Sequence, residues 1–160
     1  MANNLHRIDK NKYFFDDKSA KRACDFIQTF CKHTKGELAG EPFVLEPWQV
    51  EIIQAIFGWK SKKTKLRKFR QCFIFIPRKN GKTTMMVGIA LYMLFSDGEK
   101  GAEIVSAAAD KEQARLSFSI AKQMVLQEPN LIKRAGTYRD SITYDKVGSY
   151  YKVISADADT

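Results

Sequence analysis

Acid is missing where base is densest: from Lys60 to Arg70 the chain holds seven Lys and Arg residues and not one Asp or Glu. Taking that run's seven charges from the net +9 leaves only +2 for the rest of the 160 residues. A block of like charge suits a polyanion, because each phosphate it neutralises releases condensed counterions. It equally suits a solvated, flexible loop, and both readings stay open. Cysteine is scarce as well. Cys24, Cys31 and Cys72 form no Cys-x-x-Cys pair and no zinc spacing, which excludes a disulfide framework and a structural zinc site. Cys31 and His33 lie close, but two ligands without partners do not make a tetrahedral centre. No apolar stretch approaches the roughly 20 residues that span a bilayer, and Met1 to Lys12 is too polar for a signal peptide. The expectation is a reduced, soluble protein of the cytoplasm with no membrane partner. Repeats, low-complexity tracts and interdomain linkers are also lacking, and a hydrophobic content of 44% supports one domain or most of one.

What is present centres on Ile74-Phe75-Ile76-Pro77-Arg78-Lys79-Asn80-Gly81-Lys82-Thr83-Thr84, an apolar run that stops at a proline and passes into a helical pattern. Gly-Lys-Thr at a helix start points backbone N–H groups at one anion and adds the helix dipole. The lysine supplies an ammonium for the outer phosphates, and the threonine a hydroxyl for Mg²⁺. A nucleoside triphosphate is the expected ligand, cradled by Pro77 through Thr84. Ile76 stands where the pattern G-x-x-x-x-G-K-[ST] has its first glycine, so the loop is a variant. Gln71 to Ile76, with Cys72, is expected to be a buried core strand. Lys82 to Phe95, with Met85, Met86, Ile89, Ala90, Met93 and Leu94, is expected to be a helix with a wide apolar face.

Upstream, Tyr13, Phe14 and Phe15 can pin an otherwise aperiodic arm to the core. From Ser19, a plausible N-cap, Ala23, Phe26, Ile27 and Phe30 recur at helical spacing until Gly36. Pro47 fits the first turn of a helix running through Ile52, Ile53, Ile56 and Phe57. Gln49, in that first turn, can pair with an adenine edge by donating to N7 and accepting from the exocyclic amine. It can also be a capping or surface glutamine beside a core Trp48.

Downstream, Asp97 to Gly101 reads as a turn and Ala102 to Ala107 as a second buried strand. Ala108-Ala109-Asp110 opens a helix holding Ala114, Leu116, Phe118, Ile120, Ala121, Met124 and Val125. Lys111 and Arg115 on that helix form a lesser basic face, expected to be solvated. Strand, helix, strand, helix is the order of a parallel sheet, with the phosphate site at the carboxyl end of the first strand. Ser141 to Asp145 and Ser149 to Ser155 alternate around Gly148 as a hairpin or strand pair. Residues 1–40 are thus an arm and helix, and 41–160 the amino-terminal part of a nucleotide-binding domain.

The order of motifs resembles the amino-terminal ATPase region of the large terminase subunit of tailed bacteriophages. It runs Leu45-Glu46-Pro47-Trp48-Gln49, Ile76-Pro77-Arg78-Lys79-Asn80-Gly81-Lys82-Thr83, Ala107-Ala108-Ala109-Asp110-Lys111-Glu112-Gln113-Ala114, then Ile154-Ser155-Ala156-Asp157-Ala158-Asp159-Thr160. The resemblance spans about Phe43 to Thr160, in the branch whose phosphate loop reads Pro-Arg-Lys-Asn-Gly-Lys. It implies an α/β P-loop NTPase fold of the additional-strand, conserved-glutamate (ASCE) type, with a mainly parallel sheet flanked by helices. It implies an ATP- and Mg²⁺-dependent motor that, as a homo-oligomeric ring on a portal and with a small terminase subunit, drives double-stranded DNA into procapsids in the bacterial host. A second domain, a nuclease, would cut the DNA. By the resemblance, Lys82 holds the β- and γ-phosphates, Thr83 the Mg²⁺, Gln49 the adenine and Arg78 the γ-phosphate, Arg78 and Lys82 being catalytic. Arg78 could then stabilise charge developing on the transferred phosphoryl group, as arginine fingers do.

No apolar strand in the sequence closes on Asp-Glu, the Walker B pair that would hold Mg²⁺ and polarise water. Val153-Ile154-Ser155-Ala156-Asp157 is a loop before that strand, so the domain reads as truncated ahead of Walker B and of the nuclease. Poor hydrolysis by this chain is the expectation. A helicase-like DNA translocase, or a non-catalytic nucleic-acid-binding module with a vestigial loop, remain as alternatives. In either case Lys62, Lys63, Lys65, Arg67 and Lys68 are the candidate nucleic-acid contacts.

Overall fold

The protein is described by a computed structural model over residues 8–108 and 111–155. The arm does pin itself. β1 (Tyr13–Phe15) pairs antiparallel with β2 (Trp59–Ser61), matching Phe15 to Trp59, whose rings meet edge to face at 5.3 Å. Between them in sequence run α1 (Asp17–Phe30) and α2 (Pro47–Gly58), packed together. Gly58, the last residue of α2, has no room for a side chain, since a Cβ there would run into the Phe15 ring.

Helix α1 starts earlier than its expected Ser19 cap. Asp16 is the cap: it accepts from the Ser19 backbone N–H at 3.1 Å and from the Ser19 hydroxyl at 2.8 Å. The helix also stops at Phe30 rather than reaching Gly36. Cys31 turns extended, its carbonyl accepts from Phe43 N–H at 2.9 Å, and His33 N–H goes to the Glu41 carbonyl, so the backbone is already partnered across a loop.

α3 (Lys82–Phe95) has the predicted bounds and lies at the centre of the core, with Met85, Leu91, Tyr92 and Leu94 almost wholly buried. β3 (Glu103–Ala108), α4 (Lys111–Gln127), α5 (Pro129–Ile132), β4 (Gly136–Thr137), β5 (Ser141–Tyr144) and β6 (Ser149–Ser155) follow. The sheet runs in the order β3-β6-β5-β4, with α3 and α4 against it. The hairpin expected around Gly148 is β5–β6, turned through a short 3-10 segment at Asp145–Val147 with Gly148 at φ +67.

Two expectations about the sheet are corrected. Only β3 and β6 are parallel, and β4–β5 and β5–β6 are antiparallel, so the sheet is mixed rather than mainly parallel. The physical reason lies in the connections: α4 gives β3 and β6 a long crossover, while β4, β5 and β6 are joined by tight turns that force reversal. Gln71–Ile76 is not a strand. The segment alternates as a strand would, Ile74 and Ile76 inward and Phe73 and Phe75 outward, yet no described strand lies beside it to form a ladder. Phe73 and Phe75 are therefore 90% and 86% exposed and stack on each other at 6.5 Å, and Cys72 is exposed rather than core. The expected βαβ unit beginning with that strand is replaced by the β3–β6 parallel pair. β3 itself buries only Ile104 because one face of the sheet is open, leaving Val105 exposed. Ala109 and Asp110, the expected opening of α4, and the stretch from Ala156 to Thr160 lie outside the described residues, as does the side chain of Lys111.

Candidate nucleotide site

The phosphate loop is built from its own residues. Pro77 ends the extended segment, and Arg78 and Lys79 make a turn in which Lys79 takes a left-handed φ of +67. The Asn80 amide nitrogen staples that turn, donating to the Pro77 carbonyl at 3.3 Å and to the Arg78 carbonyl at 3.2 Å. Gly81, at φ +67 and ψ 15, is the N-cap of α3, a backbone state that a glycine adopts without penalty.

Lys82, Thr83 and Thr84 form the first turn of α3, so their N–H groups have no partner within the helix. No acid occupies that turn, and Arg78 and Lys79 are exposed beside it, which makes the end of the helix strongly electropositive. The Lys82 ammonium folds back to the Ile76 carbonyl at 2.5 Å. Ile76 turns its side chain inward, 9% exposed, and offers its carbonyl to the lysine, so this glycine-to-isoleucine variant is accommodated by burial.

Gln49 reaches the same loop from α2. Its side-chain oxygen accepts from the Glu46 backbone N–H at 3.0 Å, which closes the start of α2. Its nitrogen lies 3.3 Å from where a Gly81 side chain would begin. Gln49 is only 2% exposed, so it is a buried capping glutamine rather than a surface one.

A cavity of about 750 Å³ joins these parts. Lys79, Asn80 and Gly81 of the loop line it together with Gln49 and with the segment that carries Leu38, Glu41, Phe43, Val44, Glu46 and Trp48. The volume is that of an ordinary small-molecule site. Pro77, Arg78, Lys82, Thr83 and Thr84 belong to the loop and first turn but do not line this cavity. The apolar wall was missed from sequence; its signal was the Pro42-Phe43-Val44-Leu45 run just ahead of Pro47.

The basic run divides. Lys62, Lys63 and Lys65 are exposed, the last with its ammonium 5.0 Å from the Phe14 ring. Arg67 is ion-paired to Asp97 at 2.7 Å and sits over the Phe57 ring, and Lys68 lies over Phe69 at 4.1 Å. Lys60 is paired with Asp16 at 2.8 Å, and that hydrogen bond, with those from Ser19, holds the Asp16 carboxyl far below its ordinary value. Part of the run is therefore bracing. Cys31 is buried and its thiol is pushed up to about 12 by that burial, while the His33 ring stands edge-on to Phe43 at 5.4 Å. Among the described residues no group of three His, Cys, Asp or Glu side chains could hold a metal, and no helix is long and apolar enough to cross a membrane.

Comparison with known proteins places the chain. A family model described as "Terminase large subunit, ATPase domain" matches residues 47–160. The curated "Terminase, large subunit" of Enterobacteria phage HK97 is 33% identical over 112 residues, covering 69% of this chain and 21% of that protein. The crystal structure of the HK97 bacteriophage large terminase superposes with a TM-score of 0.74 at 28% identity, covering 88% of this chain and 28% of that one. The chain thus spans about a fifth of the length of the curated relative it matches.

Proposed function

Because this chain belongs to the family of terminase large subunits, in their ATPase domain, we propose that it is the nucleotide-binding part of a motor that packages phage DNA. One observation carries this reading: Lys79, Asn80 and Gly81, the loop residues just ahead of α3, and Gln49 at the start of α2 line a single cavity. Nucleoside triphosphate lies with its phosphates on the open N–H groups of Lys82, Thr83 and Thr84, within a cradle formed by Pro77 through Gly81. The Lys82 ammonium exchanges the Ile76 carbonyl for β- and γ-phosphate oxygens. The exposed Thr83 hydroxyl is a hard oxygen donor and fits the Mg²⁺ that accompanies the nucleotide. Arg78 projects from the loop toward the γ-phosphate, where a guanidinium stabilises charge spread over the transferring group.

The reading extends to an ASCE-type ATPase whose Walker B carboxylates and nuclease domain belong to parts of the longer protein outside residues 1–160, with residues 1–40 as arm and helix. In that longer protein a homo-oligomeric ring acts on double-stranded DNA, with a portal and a small subunit as partners, in the cytoplasm of the bacterial host. Lys62, Lys63 and Lys65 are the DNA-facing members of the basic run, since they are exposed while Arg67 and Lys68 are half-buried.

The test is photo-crosslinking with an azidoadenine triphosphate. Label should appear in the peptide containing residues 33–49 and be suppressed by excess inorganic tripolyphosphate. Label elsewhere, or label that tripolyphosphate leaves untouched, contradicts the reading.

A further inference from the structure

We propose that the amino-terminal arm completes a two-segment surface for the phosphate backbone of duplex DNA, with Lys10 and Lys12 acting beside Lys62, Lys63 and Lys65; this rests on the DNA-facing reading of the basic run above. The juxtaposition is made by the backbone. In the β1–β2 ladder Tyr13 stands opposite Ser61 and Phe14 opposite Lys60. The Lys62 N–H then donates to the Lys12 carbonyl at 2.9 Å, which carries the pairing one position further and sets Lys12 across from Lys62. Lys10, Lys12, Lys62, Lys63 and Lys65 are all exposed. Two stretches remote in sequence thus present their charge at one end of a single ribbon.

The lysine turn is preformed. Ser61 N–H donates to the Leu66 carbonyl at 2.9 Å, Lys65 N–H to the Ser61 carbonyl at 2.9 Å and Thr64 N–H to the Ser61 hydroxyl at 3.3 Å. Lys65 sits at φ +61, a left-handed state that a lysine adopts at a cost, and its ammonium lies 5.0 Å from the centre of the Phe14 ring of β1. An ordered turn loses less freedom on binding than a solvated loop, so its cations are ready for a partner of regular charge spacing. Setting Lys12 across from Lys62 has an electrostatic cost, since like charges directly opposite on an antiparallel ladder destabilise it. The Asp9 carboxylate lies 3.9 Å from the Lys12 ammonium, and with side chains 45% and 77% exposed this pair offsets little of that cost. Phosphates bound across the two segments offset it and release counterions as they are neutralised. Lysine ammoniums are compact point charges that meet phosphates at varied angles, which fits a backbone partner held without regard to sequence.

The experiment titrates a short fluorescent duplex, with polyglutamate as a second probe, against the 160-residue chain over a range of salt concentrations. The variants are Lys10→Gln, Lys12→Gln, Lys146→Gln and the triple replacement of Lys62, Lys63 and Lys65 by Gln. Lys12→Gln should lower the slope of log affinity against log salt by about 0.9, which over one decade of salt is about an eightfold loss. Lys10→Gln should act in the same direction. The urea midpoint of Lys12→Gln should stay at or above that of the wild type, because a like-charge pair is removed. Lys146→Gln, an exposed lysine in the β5–β6 turn, should leave DNA binding unchanged. If the triple variant weakens binding while the arm variants do not, the inference is overturned and the DNA reading of the run stands. A loss in Lys146→Gln equal to that in Lys12→Gln, a lowered midpoint for Lys12→Gln, or polyglutamate bound as tightly as the duplex also overturns it. If the folded wild type does not bind the duplex, or the triple variant binds it unchanged, the DNA reading falls and this inference with it.

Discussion

The side-chain nitrogen of Gln49 comes within 3.3 Å of the point where a Gly81 side chain would begin, so the starts of α2 and α3 meet at one glycine. Gly81 is also at φ +67, which an L side chain adopts at a cost of about 1–2 kcal/mol. Gly81→Ala should therefore lower stability by about that amount and push Gln49 away from the loop. Nucleotide affinity should fall more steeply than stability, as read by denaturant titration beside calorimetry. Wild-type affinity in the variant would show that Gln49 does not set the loop.

Asp16 joins two jobs, capping α1 and pairing with Lys60. Its carboxyl is depressed in the folded state, first by the hydrogen bond from Lys60 and then by those from Ser19. The stability it supplies is thus complete above its unfolded value of 3.8 and is lost as pH falls through the folded one. Asp16→Asn, which keeps a capping side chain and removes the charge, should cost about 1 kcal/mol at neutral pH. The gap to wild type should begin to narrow below about pH 4 and go on narrowing as pH falls toward the folded value, with urea midpoints across pH as the check. A gap independent of pH would refute the charge contribution.

The division of the basic run gives opposite outcomes for neighbouring residues. Replacing Lys62, Lys63 and Lys65 by Gln should leave stability almost unchanged and reduce the slope of log affinity for duplex DNA against log salt by about one for each phosphate no longer neutralised. Arg67→Gln should instead destabilise the fold, since it strands Asp97, which is 15% exposed. Equal loss of DNA binding from Arg67→Gln, without loss of stability, would put the DNA face elsewhere.

Helix α3 was legible to the residue because Gly81 sets its start and apolar side chains continue without a break to Phe95. The cap of α1 was harder: Asp16, Asp17 and Ser19 are all capping types within four positions, and only the geometry separates them. Gln71–Ile76 carries the unbroken apolar run of a buried strand, but a strand also needs a neighbour, and no local pattern reports whether one is there. The two braces of the basic run were invisible for a similar reason. Asp16 lies 44 residues from Lys60, and Asp97 lies 30 from Arg67, so a reading of charge by proximity in sequence finds a run without acid. At the site, Gly-Lys-Thr and Gln49 were readable as residue types, whereas the walls supplied by Leu38 and Val44 depend on how the loop folds back on Cys31.

Whether the Gly81-Lys82 turn is a working phosphate loop is decided by calorimetry of imido-ATP with Mg²⁺, on the wild-type chain and on Lys82→Ala. The wild type should bind measurably and the variant at least about tenfold more weakly, since a charge-assisted bond to phosphate is removed. Equal affinity in the two, or no binding to a chain shown to be folded, would mean that Lys82 and its loop do not hold nucleotide.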